Sequence, residues 1–521
     1  MSDTQYQLNI AAILRRAEQF YGTREVVTRL NDRSFHRYTF TDLAQRARQL
    51  GSALQQLDLK PGARIATLCW SHYQHAELYF GGPIAGYVTH PINPRLHVDD
   101  IAFIASHAED DVLFIDRSFA EIYEAIRDRT PFKHVYFIGS QYEDFLSTGD
   151  PGWQPENIDE NTSALTSYPS GTTGRPKGVF VSHRAIALHT LSSALNNWLA
   201  FRDSDVVMPI VPLFHALGWG WPYSCALLGA KLVLPGPLLD PISILENVEL
   251  EQVTVSGGVP TVWMGMLQAL DDEPKKFEVS TLRAILSGGA TAPPAMIDGY
   301  RERHGLNLVH TWGMTELIMG VIADPSWDAS PELQKRQGEK QGRAMPFLEI
   351  RARNDDGIIP WDGETLGELE VYGPWVSTSY TDAAESAAQW TKDGWFRTGD
   401  IVSIDERGYF EIADRTKDVI KSGGEWISTP QLESALMAHP AVAEAAVIGV
   451  QDQKWSERPL AAIVLRTDLQ VSAEELRDHL GPLVAKFWIP ERIEFIGEIP
   501  RTAVGKFNKV ALRQQFDIKN T

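Results

Sequence analysis

Apolar residues along the first part of the chain alternate between helical and extended patterns. Residues 10–21 and 38–57 have the pattern of amphipathic helices, whereas residues 63–69 form a short apolar run typical of a buried strand. A helix around residues 73–85 and a strand near residues 112–115 continue the rhythm. Because such alternation is typical of a largely parallel sheet covered by helices, the sequence predicts an α/β fold.

Four polar or glycine-rich segments come directly after strand-like runs. They are TSYPSGTTGRPKG (166–178), His215 in PLFHALGWGWP, SGGA (287–290) and WGMTE (312–316). Ligands gather at the carboxyl ends of the strands in a parallel sheet. We therefore expect these four segments to share one pocket.

Helix starts are predicted from local residue types. Residues 41–42 (Thr-Asp) are expected to open the second helix, and residues 293–294 (Pro-Pro) a helix after SGGA, since proline is favoured in a first turn. A helical run is expected from Val179, directly after the glycine-rich segment.

The glycine-rich segment has the chemistry of an anion cradle. Glycines let backbone N–H groups converge on an anion, and Ser, Thr and Lys177 add donors and charge. The pattern Gly-x4-Gly-Lys-Ser/Thr of P-loop nucleotidases cannot be laid on it. The alternative is a flexible linker, which the composition alone would favour. The flanking strand and helix patterns favour phosphate binding.

The sequence pattern of the second half of the chain predicts a small subdomain and a separate small domain. Residues 342–418 contain short strands separated by turns, which indicates an antiparallel subdomain. A compact α+β domain follows. Its elements are predicted at residues 430–439 and 473–479 (helices) and at residues 443–450, 460–466 and 492–496 (strands). The predicted division is an N-terminal domain at 1–414 with its β subdomain at about 342–414, a hinge at 415–418, and a C-terminal domain at 419–521.

Composition narrows the function classes. Hydrophobic residues make up 43% of the 521 positions, as in ordinary globular proteins, and 48 basic against 68 acidic residues give a net charge of −20. That charge disfavours general nucleic-acid binding. Only two cysteines occur, so neither a disulfide framework nor a cysteine-based zinc site is expected. With neither a signal sequence nor an apolar run long enough to span a bilayer, a cytoplasmic protein that is not integral to a membrane is expected.

Several side chains have both a structural and a functional interpretation. Glu316 would cap a helix after Thr315 or bind Mg²⁺, because hard cations prefer carboxylate oxygens. Asp400 in DGWFRTGD would cap a turn or accept hydrogen bonds from ribose hydroxyls at a strand end. A lone histidine such as His215 is more often structural than catalytic.

The aromatic and basic candidates also have both a structural and a functional interpretation. Trp219 and Trp221 would by default be core residues, although their neighbouring glycines would also allow them to wall a pocket. Lys506 would by default be a solvated lysine near the end of the chain, yet residues 500–505 have the composition of a turn that presents it.

Together, these segments resemble the adenylate-forming superfamily of acyl-CoA synthetases, luciferases and peptide-synthetase adenylation domains. The resemblance covers essentially the whole chain, in order. The matching motifs are YPSGTTGRPKG (phosphate loop), SGGA and WGMTE (adenine and metal), DGWFRTGD (ribose), DRTKDVIKSGGEWIS (hinge and coenzyme A) and PRTAVGKF (C-terminal lysine). Within the superfamily, PLFHALGWGWPY and KLVLPGPLLDP are most similar to the fatty acyl-CoA ligase branch, which includes medium-chain and methylmercaptopropionate ligases.

The resemblance implies a two-step ligase that uses ATP, Mg²⁺ and coenzyme A. A carboxylate attacks the α-phosphate of ATP and gives acyl-AMP and pyrophosphate, and CoA then displaces AMP. The implied catalytic residues are Lys506, His215 and Glu316, the last as the metal ligand. The implied ATP/AMP-binding residues are Ser170, Gly171, Thr172, Thr173, Gly174, Lys177, Gly289, His310, Thr311, Trp312, Gly313, Met314, Thr315, Asp400, Arg415, Lys417 and Lys421.

The resemblance also implies an acyl pocket and a CoA segment. It further implies a rotation of the C-terminal domain about Lys417 that removes Lys506 and brings residues 422–426 to the thiol entrance. The acyl pocket would be lined by His215, Trp219, Trp221, Gly289 and Trp312, and CoA would meet Ser422, Gly423, Gly424, Glu425 and Trp426. Because Trp221 adds a second bulky residue beside Trp219, which stands where related long-chain ligases have a gate, short-to-medium or otherwise compact acids are expected. A homodimer through the N-terminal region is expected by analogy with the branch.

One residue departs from the superfamily pattern. Pro169 stands where a hydroxyl residue usually reaches metal or phosphate, and it offers neither a hydroxyl nor an N–H. Ser167 or Ser170 would then substitute, or the metal would rely on Glu316 and water.

Two other functions stay open at this point: an adenylating enzyme that passes the acyl group to an amine or a carrier protein, and a non-catalytic nucleotide- or acyl-binding homologue. The segment Gly423-Gly424-Glu425-Trp426 favours CoA as the acceptor over an amine or a carrier protein. The non-catalytic alternative is disfavoured by the presence of Glu316, Asp400, Arg415 and Lys506 at the motif positions.

Overall fold

A computed structural model describes residues 6–169, 176–381, 386, 389–415, 420–422, 425–452, 456–467, 469–501 and 507–516. Across these ranges, no helix is both long enough and apolar enough to cross a lipid bilayer.

Strands occur along the whole described chain. In order they are β1 (Glu25–Arg29), β2 (Phe35–Thr39), β3 (Arg64–Leu68), β4 (Val88–Pro91), β5 (Asp110–Ile115), β6 (His134–Phe137), β7 (Ser163–Ser167), β8 (Val179–Ser182), β9 (Val206–Pro209), β10 (Lys231–Leu234), β11 (Val255–Gly258), β12 (Ala284–Ser287), β13 (Leu308–Trp312), β14 (Val321–Ile322), β15 (Arg343–Ala344), β16 (Glu349–Asn354), β17 (Gly357–Ile358), β18 (Gly367–Tyr372), β19 (Phe396–Ile404), β20 (Phe410–Arg415), β21 (Ile420–Ser422), β22 (Glu425–Ile427), β23 (Val442–Asp452), β24 (Ser456–Leu465) and β25 (Arg492–Phe495).

Helices alternate with the strands in the first two thirds of the chain, as the apolar pattern predicts. In order they are α1 (Ile10–Tyr21), α2 (Phe40–Gln55), α3 (Tyr73–Ile84), α4 (Val98–His107), α5 (Ala120–Ile126), α6 (Ser140–Ser147), α7 (His183–Ser193), α8 (Trp221–Leu228), α9 (Pro241–Glu251), α10 (Pro260–Asp272), α11 (Pro294–His304), α12 (Pro331–Glu339), α13 (Thr429–Met437), α14 (Ala473–Leu480) and α15 (Lys509–Phe516).

Two sheets form the larger part of the molecule. The first has the strand order β15-β14-β13-β12-β11-β9-β10-β1-β2, and the second has the order β6-β5-β3-β4-β7-β8. Their central strands are parallel, and antiparallel strands lie at the edges: β2, β14 and β15 in the first sheet and β8 in the second. The carboxyl ends of β9, β12 and β13 lead to His215, SGGA and WGMTE, while β7 leads to the glycine-rich segment.

The helix starts show where local sequence was misleading. The helix predicted at residues 38–57 is present, but its predicted opening at residues 41–42 was wrong, because its cap is Thr39: Thr39 Oγ1 accepts from the Asp42 N–H (3.2 Å) and Asp42 Oδ2 accepts from the Thr39 N–H (2.8 Å). The start predicted at Val179 for the next helical run was also wrong. Residues 179–182 form β8, antiparallel to β7, and α7 begins only at His183. Two β-branched residues and one aromatic residue in VFVS favour the strand.

Two smaller sheets follow. An antiparallel sheet has the order β17-β16-β18-β19-β20, which matches the predicted change of pattern, and a last sheet has the order β22-β21-β24-β23 with β25 beside β24. The elements predicted for residues 430–496 are present, with ends shifted by a few residues. The predicted α/β class, with a large N-terminal domain of mixed sheets and a smaller C-terminal domain, is confirmed. The domain boundaries and the hinge stay predictions.

Candidate active site

A cleft joins three of the predicted motifs. Tyr168 at the start of the glycine-rich segment, His215 after β9, and Thr315 of WGMTE all line it. The end of β4 and the residues after it, including His90 and Asn93, also line the cleft. Segments spread from residue 90 to residue 315 therefore meet here, each at or after the carboxyl end of a strand from one of the two sheets.

The end of the glycine-rich segment contacts the segment around Tyr380. Residue 381 donates its N–H to Gly178 O (3.0 Å), and Val179 forms an antiparallel bridge with Tyr380. A Cβ on Gly178 would lie 2.9 Å from the Tyr168 hydroxyl and 2.7 Å from Cγ2 of Thr381. Only glycine fits this close approach.

Lys177, Tyr380 and Glu316 form one polar group beside the cleft. Tyr380 Oη donates to Glu316 Oε1 (2.7 Å), and Lys177 Nζ lies 5.1 Å from the centre of the Tyr380 ring. Glu316 is buried, and Thr315 to Leu317 form a turn, so the helix-cap interpretation of Glu316 was wrong. The arrangement places a cation and a carboxylate at the end of the phosphate segment.

The predicted ribose residues lie on neighbouring strands. Asp400 on β19 is directly opposite Arg415 on β20. Asp400 is buried in the interior of β19, so both the turn and the strand-end placements were wrong. The Trp312 indole N–H donates to Asp400 Oδ2 (3.0 Å), and the Trp312 ring packs edge-on against Phe410. Trp312 thus orients the carboxylate in addition to its predicted place beside adenine.

Two residues predicted beside adenine have structural side chains. Because the Ala292 N–H donates to His310 Nε2 (2.6 Å), the proton is on Nδ1, which donates to Lys340 O (3.1 Å). Burial lowers the pKa of His310 to about 4, so the ring is neutral. Thr311 Oγ1 donates to Val321 O (2.8 Å). Gly289, with φ +85°, is exposed at the SGGA turn.

Trp219 and Trp221 fill space beside the central strands. Their ring centres are 5.8 Å apart, and both residues are buried. A Cβ on Gly288 would lie 3.0 Å from Trp219 Cζ2, and one on Gly257 would lie 2.8 Å from Trp219 Cζ3. Trp221 packs edge-on against Phe201 in the core. The structure thus places both indoles against Gly257 of β11, and Trp219 also against Gly288 of SGGA.

Several predicted site residues lie outside the described residues: Ser170, Gly171, Thr172, Thr173, Gly174, Lys417, Gly423, Gly424 and Lys506. For Arg415, Lys421, Glu425 and Trp426 the backbone alone is described. Ser422 is buried, and its Oγ accepts from Arg458 Nη1 (3.3 Å). Gly313 and Met314 form the link from β13 to the Glu316 turn. Pro169 is half-buried at the start of the phosphate loop.

Sequence reasoning missed two contributors to this region. Tyr380 lies in the hydroxyl-rich run STSYT (377–381), a composition that could have marked it. No strand was predicted at residues 88–91, where His90 lies, and Asp110 precedes the strand predicted near residues 112–115. The pairing of these two side chains depends on tertiary structure that sequence spacing does not reveal.

Comparison with known proteins agrees with this geometry. Residues 14–381 match the family described as AMP-binding enzyme, and residues 431–506 match the AMP-binding enzyme C-terminal domain. The chain belongs to the AMP-binding enzyme family. It is an acid–thiol ligase of the AMP-forming, adenylating type, a class that uses ATP and coenzyme A.

Two relatives and one solved structure show the breadth of the similarity. The chain is 40% identical to a 3-methylmercaptopropionyl-CoA ligase of Ruegeria lacuscaerulensis, over 98% of this chain and 97% of that protein. It is 41% identical to a long-chain-fatty-acid–CoA ligase of Thermus thermophilus, over 98% and 96%. An anthranilate CoA ligase in complex with anthranoyl-AMP superposes with a TM-score of 0.87 at 27% identity, covering 99% of each chain.

Proposed function

We propose that the enzyme is an ATP-dependent carboxylic acid–CoA ligase for short-to-medium or otherwise compact acids. It activates the acid as acyl-AMP with release of pyrophosphate, and then forms acyl-CoA and AMP. The observation that carries the proposal is the cleft where Tyr168 of the phosphate loop, His215 and Thr315 meet. Adenylation needs that combination, because an acid must lie next to the α-phosphate of a held nucleotide.

We assign the binding of the ATP phosphates to residues of the glycine-rich segment and of WGMTE. Thr172, Thr173 and Lys177 hold the β- and γ-phosphates, and Thr315 contacts the α-phosphate. The buried Glu316 carboxylate, held at Oε1 by Tyr380, fits Mg²⁺ because hard cations prefer oxygen ligands. Magnesium would neutralise phosphate charge there. Lys506 bridges the carboxylate and phosphate oxygens and stabilises the charge that develops in transfer.

We assign the binding of the ribose to the two paired strands β19 and β20. Asp400 and Arg415 take the ribose hydroxyls, supported by their direct pairing across the sheet. Gly289, Trp312 and the backbone of residues 310–314 line the adenine. His310 serves there through its backbone, since backbone groups take both of its ring nitrogens.

The preference for compact acids rests on Trp219 and Trp221. Both indoles pack against Gly257 of β11, and Trp219 also packs against Gly288 of SGGA, which leaves little width beside the adenylation centre. The ligase for 3-methylmercaptopropionate, an acid of this compact kind by its name, is a relative over nearly the full chain.

The second half-reaction, transfer of the acyl group to CoA, would follow a rotation of the C-terminal domain. The hinge at 415–418, with Lys417 as the pivot, removes Lys506 and brings residues 422–426 to the thiol entrance. The support is the position of β21 and β22 directly after the hinge in the chain.

Pyrophosphate release in the absence of CoA tests the first step, and acyl-CoA formation tests the second. We expect release only when a carboxylic acid is present, and AMP equal to acyl-CoA once CoA is added. Lys506→Ala should lower adenylation by about 100-fold or more, while transfer from supplied acyl-AMP to CoA is kept. The exposed Lys486→Ala is the matched control. Acid-independent pyrophosphate release, or an acyl adenylate that amines accept and CoA does not, would contradict the proposal.

We also propose a cytoplasmic homodimer. Cys69 and Cys225 are buried free thiols, which suits a reducing compartment. The dimer, through the N-terminal region, is expected by analogy. A monomeric mass in solution light scattering would exclude it.

A further inference from the structure

A buried histidine–aspartate pair lies in the wall of the cleft. His90 lies one residue before the end of β4 and Asp110 begins β5, and the two strands lie on either side of β3. His90 Nδ1 is 2.9 Å from both carboxylate oxygens of Asp110, and both residues have 0% exposure. Because Nδ1 faces a carboxylate, it carries the proton and donates. The remaining ring nitrogen, Nε2, is therefore a lone-pair acceptor in the neutral ring.

That acceptor has no protein partner. Within the described residues, His90 Nε2 is buried without a hydrogen bond, a state that costs free energy unless water or a ligand supplies a donor. His183 also has an unpartnered buried Nε2, but it lies outside the cleft wall and faces no carboxylate. His90 differs by lining the cleft with His215 and Thr315 and by having Asp110 behind it.

We propose that His90 is a catalytic residue of the second half-reaction, in which its Nε2 accepts the proton of the coenzyme A thiol. This inference rests on the proposed function. As Nε2 takes the proton, the sulfur attacks the acyl carbonyl carbon of acyl-AMP and a C–S bond forms. The C–O bond to the phosphate then breaks, and its electron pair leaves with AMP. The imidazolium loses its proton to water, so the sum is acyl-AMP plus thiol to thioester, AMP and one proton.

Neighbouring charges fit that role. The Asp110 carboxylate stabilises the imidazolium, as the acid behind a catalytic histidine does. Burial raises the pKa of Asp110, while the charges of His90 and Arg64 oppose that rise. Tyr168 packs with a ring centre 5.2 Å from that of His90 and shares a 2.8 Å hydrogen bond with His107. Burial, with Asp110 contributing, raises the pKa of Tyr168, so it stays neutral. His215 is the other imidazole of the cleft.

The test separates the two half-reactions in the full-length enzyme. Acyl-AMP is formed from acid, ATP and Mg²⁺, and then mixed rapidly with CoA. For His90→Gln we expect adenylation within about threefold of wild type and acyl transfer lower by about 100-fold. Asp110→Asn should show the same pattern more weakly, and the matched control His183→Gln should change neither step.

The pH dependence of transfer gives a readout that a structural role would not change. In the wild type, transfer should level off well below the pKa of an ordinary thiol, about 8.5, whereas in His90→Gln it should rise until the thiol ionises. Equal loss in both half-reactions, or unimpaired transfer, would overturn the inference. If no His90 variant folds, the wild-type profile decides, because a rate that simply follows thiol ionisation also overturns it. A wild type that makes no acyl-CoA would instead overturn the proposed function.

Discussion

At the scale of single residues, Trp312 joins the adenine and ribose motifs. Its indole N–H donates to Asp400 Oδ2 at 3.0 Å, between side chains that are both buried. A hydrogen bond to a charged group in such surroundings is stronger than one between neutral groups. The aromatic residue of WGMTE therefore fixes the direction of the ribose carboxylate.

Replacing Trp312 by Phe keeps the aromatic ring and removes the donor. We expect the KM for ATP to rise about tenfold, because a lost hydrogen bond to a charged group costs about 1.5–3 kcal/mol. Steady-state kinetics at saturating acid and CoA measure it. Trp375→Phe is the control, since the buried Trp375 indole N–H has no partner in the described residues. An unchanged KM for ATP in Trp312→Phe would refute this role.

Tyr380 gives a second residue-scale prediction. Tyr380→Phe removes the hydroxyl that donates to Glu316 Oε1, so the carboxylate loses a positioning contact. Partners behind a metal ligand typically affect metal affinity or activity by about 10–100-fold. We therefore expect adenylation to need about tenfold more Mg²⁺, measured by pyrophosphate release. The half-exposed Tyr372→Phe should not change the requirement. An identical Mg²⁺ titration in both variants would count against Glu316 as the ligand.

At the scale of elements, the turn from Ala216 to Gly220 is unusual. Leu217 and Trp219 have left-handed backbone angles (φ 51° and 53°), which side chains other than glycine rarely adopt. Such a conformation costs of order 1 kcal/mol for each residue and persists only where packing enforces it. Here it places the Trp219 indole against Gly288. The strained turn therefore fixes the position of the Trp219 indole beside SGGA, where the proposed acyl pocket would be narrowed.

Trp219→Ala should widen the pocket. We expect the ratio of kcat/KM for a C10 acid to that for a C4 acid to rise about tenfold, which corresponds to room for about two further buried methylenes at about 0.8 kcal/mol each. Trp375→Ala, in the same core, should lower the melting temperature without changing that ratio. A preference that stays the same in Trp219→Ala would show that this indole does not limit chain length.

The elements also show what sequence could predict. Apolar rhythm was enough to place β7, β9, β12 and β13, because burial fixes the spacing of their apolar residues, but it did not reveal β4, whose end also lines the cleft. It failed at residues 179–182, where pairing with β7 decides for a strand, and at Asp400, whose interior strand position depends on β20. Tyr380 and the His90–Asp110 pair were missed because contacts across sheets leave no signal in one sequence.

At the scale of the whole molecule, buried neutral histidines make stability depend on pH. Burial lowers the pKa of His75 to about 3 and those of His189 and His310 to about 4. The unfolded chain binds these protons near pH 6.5, whereas the folded chain does not until the pH is far lower. The contribution of these neutral histidines to the free energy of unfolding is therefore complete above about pH 6.5, and it is lost as the pH falls toward 4.

The melting temperature should consequently fall between about pH 7 and pH 5, above the range in which carboxylates titrate. Each such histidine lowers the free energy of unfolding by about 1.4 kcal/mol for each pH unit of this fall. His189→Leu should make the fall smaller, and exposed His97→Gln should leave it unchanged. Differential scanning calorimetry across this range measures both. An equal fall in His189→Leu and wild type would contradict the assignment.

The central claim concerns the whole molecule: it joins a compact carboxylic acid to CoA through acyl-AMP. The most direct test measures kcat/KM for acyl-CoA formation, with the product detected by mass spectrometry. The substrates are the straight-chain acids from acetate to palmitate, together with thioether and aromatic acids. We predict acyl-CoA with equal AMP and pyrophosphate, and the highest kcat/KM on a short-to-medium or compact acid. Highest kcat/KM on palmitate, or acyl-CoA from none of the acids, would contradict the claim.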